Sequence, residues 1–285
     1  MEFRTPVAIV EPSFSIEPLE EMLFVGSCFA DNIGQRFLDE HFRATVNPYG
    51  TMYNPVSVFH TIAQWLDEKD RFLANGLASD RLVVFITLGT NHVYRLKSTG
   101  EIVDNCQKRP QSLFTEEELS IDECADSLRQ SVGLLQDRLA SLNHPRTLQV
   151  IFTVSPIRYA KYGFHESQLS KATLLLAVNR VVKELSNADY FPAYEIVLDE
   201  LRDYRFYKDD MLHPSSQAVE YIWQQLVAHY FSPAARRFLD EWKPIKAALA
   251  HRPFHPESAE YQAFLADVRQ REKELLTRYS ALSAL

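Results

Sequence analysis

The chain has 285 residues, 46% hydrophobic and 24% charged, a globular composition that excludes a wholly disordered protein. Its 30 basic and 38 acidic residues leave a formal charge of −8, which argues against a nucleic-acid-binding surface. No apolar run approaches a membrane span, and no basic start followed by an apolar run opens the chain, so a soluble, cytoplasmic protein with no membrane partner is expected.

Glu21 to Val25 (EMLFV) is short and apolar and predicts a strand ending at Gly26. Phe29, Ile33 and Phe37 recur at helical spacing and predict a helix to about Glu40. Arg43 to Pro55 is rich in Pro, Asn and Gly and reads as a loop, followed by a helix over Val56 to Asp67. Arg81 to Leu88 (RLVVFITL) reads as a buried strand ending at Gly89, and His92 to Val103 as a hairpin turning at Ser98-Thr99-Gly100. Thr115 to Glu118 reads as a capping box that opens a long helix to about Leu142. Thr147 to Val154 is a third buried strand closed by Ser155-Pro156. A helix over Ser167 to Ser186 then precedes a fourth strand near Tyr194 to Leu198. Pro214 is expected at the first position of a helix running to Tyr230.

Strands alternating with long helices predict a three-layer α/β/α fold with a mainly parallel sheet, whose ligands bind at the carboxyl ends of the strands. Gly26, Gly89 and Ser155 all stand at such ends. Past Phe231 only helical signals remain, giving an expected division into a domain over residues 1–231 and a helical extension over 232–285. The extension reads either as a helical hairpin or as a surface for homo-oligomer formation.

The eight glycines form neither G-x-G-x-x-G nor a P-loop, so no nucleotide cofactor is expected. Cys28, Cys106 and Cys124 have no C-x-x-C spacing, and His251 and His255 flank Pro253 rather than sharing a helix turn, so neither disulfides nor a metal site is indicated. Two segments carry chemistry. Gly26-Ser27-Cys28-Phe29-Ala30 leaves a strand and enters a helix, where free N–H groups favour a thiolate or an oxyanion. The bland reading is that Ser27 caps the helix and Cys28 fills a core gap. In Asp209-Asp210-Met211-Leu212-His213-Pro214, Asp210 can take one imidazole N–H of His213 and leave the other nitrogen as a base. Its bland counterpart is a capped His-Pro turn. Arg158 lies at a strand end and can either bind a substrate carboxylate or phosphate or hold its loop. Lys171 reads as a helix-surface or loop-bracing residue, while Tyr49 and Tyr53 read as packing residues or as a sugar-binding wall.

Together these segments resemble the SGNH (GDSL-like) hydrolase superfamily, and more closely its GSCFA branch, named for residues 26–30. Further segments share that likeness: Asn47-Pro48-Tyr49-Gly50, Tyr53-Asn54-Pro55, Thr87-Leu88-Gly89-Thr90, Asn105-Cys106, Val154-Ser155-Pro156 with Arg158, and Ser170-Lys171-Ala172. The resemblance implies that Cys28 stands where the superfamily has its nucleophilic serine, although a one-residue shift of the turn would present Ser27 instead. It implies Gly50 as a backbone oxyanion donor and, from Gly89-Thr90-Asn91-His92, Asn91 as a side-chain donor, with Asn105 in reserve. Asp210 and His213 become orienter and general base. The expected activity is that of an esterase or acyltransferase on a small-molecule or carbohydrate ester, with acetylated carbohydrate the class to which the superfamily points. No metal or organic cofactor is required. The rival expectation is an inactive binding module for an acyl or glycan ligand or a protein partner. Thiol chemistry such as thioester transfer is a third.

Overall fold

The computed structural model describes residues 4–73, 80–104, 106 and 109–282. Along the chain β1 (Glu21–Gly26), α1 (Cys28–Asp39), β2 (Arg43–Val46), α2 (Pro55–Leu73) and β3 (Arg81–Leu88) come first. Three short strands follow: β4 (His92–Leu96), β5 (Ile102–Val103) and β6 (Phe114–Glu118). Next are α3 (Ile121–Ala140), β7 (Thr147–Val154), α4 (Phe164–Glu184) and β8 (Ala188–Tyr190). A short helix, α5 (Ala193–Glu195), continues as a π-helical turn over Ile196–Leu201, and α6 (Ser216–Tyr230), α7 (Pro233–Leu249) and α8 (Ala259–Leu282) complete the described chain.

Five strands pair in parallel in the order β2–β1–β3–β7–β8. Counted along this sheet alone, the order is 2-1-3-4-5, the flavodoxin-like doubly wound arrangement. Strands covered on both faces should be apolar through their middles, and β1 over Met22 to Val25 and β3 over Leu82 to Ile86 are. Their side chains alternate between two cores. Leu23, Val25, Val84 and Ile86 meet α2, α3 and α4; Met22, Phe24, Val83 and Phe85 meet α1 and α6. That is the expected three-layer α/β/α fold. A second, antiparallel sheet, β5–β4–β6, stands apart from it. Helices α7 and α8 pack together around Phe238, Trp242, Ile245, Val268 and Tyr279, and Trp242 Nε1 donates to Asp39 O at the end of α1 (3.3 Å).

Four local expectations are corrected. Arg43–Val46 inside the expected loop is an edge strand, paired with β1 from Glu21↔Arg43 to Phe24↔Val46. Thr115 to Glu118 belongs to β6, which pairs with β4; the capping box is Ser120 with Glu123, one turn later. The three glutamates suit a strand exposed on both faces, where only Phe114 is buried. The fourth helix-flanked strand is Ala188–Tyr190, while Tyr194 to Leu198 is helical and buries Ile196 and Val197 against the sheet. Pro214 precedes its helix rather than opening it: Ser215 is the cap, and Pro214 bridges to Tyr207.

Candidate functional site

Adjacent strands β1 and β3 mark the switch point of a 2-1-3-4-5 sheet, where the crevice at the carboxyl ends opens. Gly26 ends β1 with φ +147°, and a Cβ there would stand 2.1 Å from Thr87 O, so only glycine lets the chain turn this close to β3. Ser27 N then donates to Thr87 O (3.0 Å), and α1 begins at Cys28. The turn is held from outside by Asn47, whose Oδ1 accepts from Gly26 N (2.8 Å) and whose Nδ2 donates to Asp31 Oδ1 (2.6 Å).

The two nucleophile candidates occupy different environments. Ser27 is 1% exposed and its Oγ accepts from Phe29 N (3.2 Å) as the helix cap. Cys28 is half-buried, with its Sγ 3.4 Å from Tyr53 Oη. As the first residue of α1, Cys28 also carries an N–H without an intrahelical acceptor. Tyr53 is fastened by its carbonyl, which accepts from both Gly89 N (2.8 Å) and Thr90 N (2.9 Å).

Asp210 and His213 meet as the three-residue offset predicts. Asp210 Oδ2 lies 2.6 Å from His213 Nδ1, and its Oδ1 accepts from Leu212 N (2.8 Å) and His213 N (2.9 Å). The two backbone N–H groups, His213's first, followed by the imidazole, hold the Asp210 pKa down at about 2. Among the described residues His213 Nε2 has no hydrogen-bond partner, and no hydrogen bond joins His213 to Cys28. Arg158 holds this turn: its N donates to Leu212 O (3.0 Å) and its Nη1 to Met211 O (3.0 Å), while the guanidinium lies 4.1 Å from the Phe164 ring centroid. Arg158 is therefore a loop brace in this structure.

Three of the residues that the resemblance suggests as oxyanion donors have hydrogen-bond partners in this structure. Gly50 N donates to Asn47 O (2.9 Å) in a turn that Gly50 closes at φ +93°, and Gly89 N donates to Tyr53. Asn91 is 2% exposed and its Nδ2 donates to Leu119 O (2.8 Å), so it ties the start of β4 to the end of β6. A peptide N–H aligned on a carbonyl serves a transition state only by breaking that bond, whereas the Asn91 amide keeps a second hydrogen. Asn105 lies outside the described residues.

Two further features shape this edge. Lys171 is buried, and its Nζ donates to Gly89 O (2.7 Å) and Ser155 O (2.8 Å), joining the carboxyl ends of β3 and β7. Burial pulls its pKa down to about 7. Its neighbour Ser170 accepts from Asn91 N (3.0 Å), so the Ser170-Lys171 segment underpins the loop after β3. Of the two sequence readings of Lys171, helix surface and loop brace, this is the brace. Beyond Tyr53 a cleft of about 470 Å³ is bounded by His92, Tyr94, Tyr159, Lys161 and Tyr162. Tyr162 stacks on His92 (centroids 3.9 Å apart), and its Oη lies 2.7 Å from Tyr94 Oη. These residues come from the small sheet and the loop after β7, two regions that no local motif connects.

Among the described residues no group of three or more His, Cys, Asp or Glu is arranged to hold a metal, and no described helix is long and apolar enough to cross a membrane. Fold and site together define a doubly wound α/β protein with a thiol at the first strand-to-helix turn and a His–Asp pair on a later loop. The GSCFA family profile matches residues 21–81 and 72–226, and a profile described as the GSCFA domain protein, C-terminal domain, matches 242–284. The chain belongs to the GSCFA family. No curated protein matches it. Two solved structures are similar: a chain provisionally described as a platelet activating factor from Streptococcus pneumonia, and a mutant acetyl esterase with acetate ion. The first is 14% identical with a TM-score of 0.44, over 76% of this chain and 85% of that one. The second is 12% identical with a TM-score of 0.41, over 79% of this chain and 99% of that one. At these scores neither likeness carries functional weight.

Proposed function

We propose that this protein is an SGNH-type hydrolase, an esterase or acyltransferase in which Cys28 attacks an ester carbonyl. The observation that carries the reading is the Asp210–His213 pair, hydrogen-bonded at Nδ1 with Nε2 open, on the sheet's carboxyl side where Cys28 begins α1. Burial and the capping bond of Ser27 favour the thiol over the hydroxyl as nucleophile. In the reaction, His213 Nε2 takes the Cys28 proton while Asp210 fixes the tautomer. The sulfur adds to the carbonyl carbon and the carbonyl π electrons move to oxygen, beside the Cys28 N–H at the helix start. Collapse breaks the C–O ester bond, and the leaving alkoxide takes the proton back from His213. Water, or an acceptor hydroxyl, then attacks the thioester with His213 again as base, returning the thiol. An acetylated carbohydrate suits the tyrosine-lined cleft next to Tyr53, because aromatic rings present flat apolar faces to sugar rings.

A specific observation favours the second reading, a ligand-binding module without turnover: Cys28 is bonded to Tyr53 and not to His213. Intact-protein mass spectrometry decides between them. The protein is exposed separately to iodoacetamide, a fluorophosphonate and p-nitrophenyl acetate near neutral pH, and the adducts are mapped. An acyl adduct on Cys28 that forms about 10²–10⁴-fold more slowly in His213→Ala is the expected result. A fluorophosphonate adduct on Ser27 would overturn the thiol assignment. Equal acylation of Cys28 and the other thiols would overturn the esterase reading and move the binding module to first place.

A further inference from the structure

The reading above gives the oxyanion the Cys28 N–H, while the Gly50 and Gly89 N–H groups go to Asn47 and Tyr53 and one of the two Asn91 amide hydrogens goes to Leu119. A thiol enzyme gains most from donors placed beforehand where charge develops. One further donor stands at the sulfur itself. We propose that the Tyr53 hydroxyl is the second oxyanion donor of this site, a catalytic residue that the superfamily pattern does not supply; the inference rests on the thiol-esterase reading.

The geometry places Tyr53 Oη 3.4 Å from Cys28 Sγ. In a tetrahedral adduct the oxyanion is attached to the carbon that sulfur has just bonded, so a donor next to the sulfur reaches it at the roughly 2.7–3.1 Å that such bonds need. The hydroxyl is also set up to give its proton rather than receive one. Thr51 Oγ1 donates to Tyr53 Oη (3.4 Å), occupying an acceptor position and leaving the phenolic O–H directed elsewhere. Burial raises the Tyr53 pKa above its ordinary 10, so the phenol keeps its proton at neutral pH.

The ring is held by a device that explains two of the sequence segments at once. Gly89 N and Thr90 N both donate to Tyr53 O, and a Cβ on Gly89 would lie 3.1 Å from Tyr53 Cδ1 and 3.3 Å from its Cβ. Thr87-Leu88-Gly89-Thr90 and Tyr53-Asn54-Pro55 therefore form one unit, in which glycine provides room and backbone donors fix the tyrosine. Asn54 Oδ1 accepts from Ser57 N (2.9 Å) and starts α2 immediately after Tyr53, anchoring the segment on its other side. At 38% exposure Tyr53 still faces an approaching substrate.

The test separates oxyanion stabilisation from placement of the thiol. Release of p-nitrophenolate from p-nitrophenyl acetate is followed in a single turnover, and alkylation of Cys28 by iodoacetamide is measured in parallel. Alkylation displaces iodide at an sp³ carbon and develops no oxyanion. Tyr53→Phe, which keeps the ring, should slow acylation about 10²–10³-fold, with substrate saturation and alkylation rate changed by less than about threefold. Wild-type acylation rates in Tyr53→Phe would overturn the inference. So would an equal fall in both reactions, because Tyr53 would then act by positioning the thiol. Wild-type protein that is alkylated at Cys28 but never acylated there would overturn the esterase reading and this inference with it, an outcome distinct from the inference failing alone. Thermal melting of both proteins checks that the fold is retained.

Discussion

The two ends of the parallel sheet are built from different chemistry. At the amino end, Arg81 Nη2 donates to Glu20 Oε2 (2.8 Å), and Arg146 Nη2 donates to Glu21 Oε2 and to Arg81 O (both 2.8 Å). Each charge there meets an opposite charge, and the cluster ties the first residues of β1 and β3 to the approach of β7. At the carboxyl end the polar groups meet neutral partners or one carboxylate. Lys171 faces two carbonyls, Cys28 faces a phenol, and His213 is paired at one nitrogen only. Full pairing makes a clamp with no proton to exchange. Half-pairing, beside glycines that bring backbone close, leaves groups able to react. One sheet thus separates structural from chemical work by its two ends.

The sharpest way to break the contrast is at the reacting atom. Cys28→Ala should reduce p-nitrophenolate release to the rate of the solvent reaction, read in a single turnover, while the melting temperature stays near that of the wild type. Next in size is Asp210→Asn. It cannot hold His213 with a charged acceptor and should lower the acylation rate about 10²–10⁴-fold, with iodoacetamide alkylation of the thiol also slowed. In the wild type, an Asp210 held at about 2 stays ionised throughout the usual assay range, so no inflection from it should enter the pH–rate profile there.

Lys171→Met tests the joint between β3 and β7. Removing the amine leaves two strand-end carbonyls without a donor, at about 1–3 kcal/mol each, partly offset because no amine is then buried. A melting temperature lower by roughly 4–8 °C is expected. The pH dependence gives a second reading. A lysine at about 7 in the folded protein and at its ordinary 10.5 when unfolded takes up a proton on unfolding anywhere between those values. Its burial is most costly below pH 7, and stability should rise with pH through that window. The rise, measured from urea midpoints, should be smaller in Lys171→Met.

The smallest effect on the site is expected from the clamp. Glu21→Gln replaces the carboxylate beside Arg146, which is 6% exposed at its side chain, and should cost about 1–3 kcal/mol in urea unfolding. Alkylation and acylation of Cys28 should keep wild-type rates. Slowed chemistry in that variant would mean that the two ends are coupled through the strands.

Much of this was readable along the chain wherever the controlling interactions are local. The strands at Arg81 to Leu88 and Thr147 to Val154 follow from continuous apolar, β-branched runs, and the Ser232-Pro233 helix start from its cap. A glycine–serine sequence after an apolar strand announces the turn into α1, and the three-residue offset of Asp210 and His213 suffices to close their hydrogen bond. Tertiary structure decided the rest, because a hydrogen-bonding group is assigned by whichever partner the fold brings to it. Arg43–Val46 is a strand only because β1 offers an open edge, and Phe114–Glu118 only because β4 lies alongside. The same logic gives the Gly50 and Gly89 N–H groups and one Asn91 amide hydrogen partners in neighbouring loops, and it selects the loop-bracing reading of Lys171, which joins the ends of two strands. Composition and periodicity specify what each residue can donate or accept, but the three-dimensional meeting of distant segments determines which of those capacities remain available for chemistry.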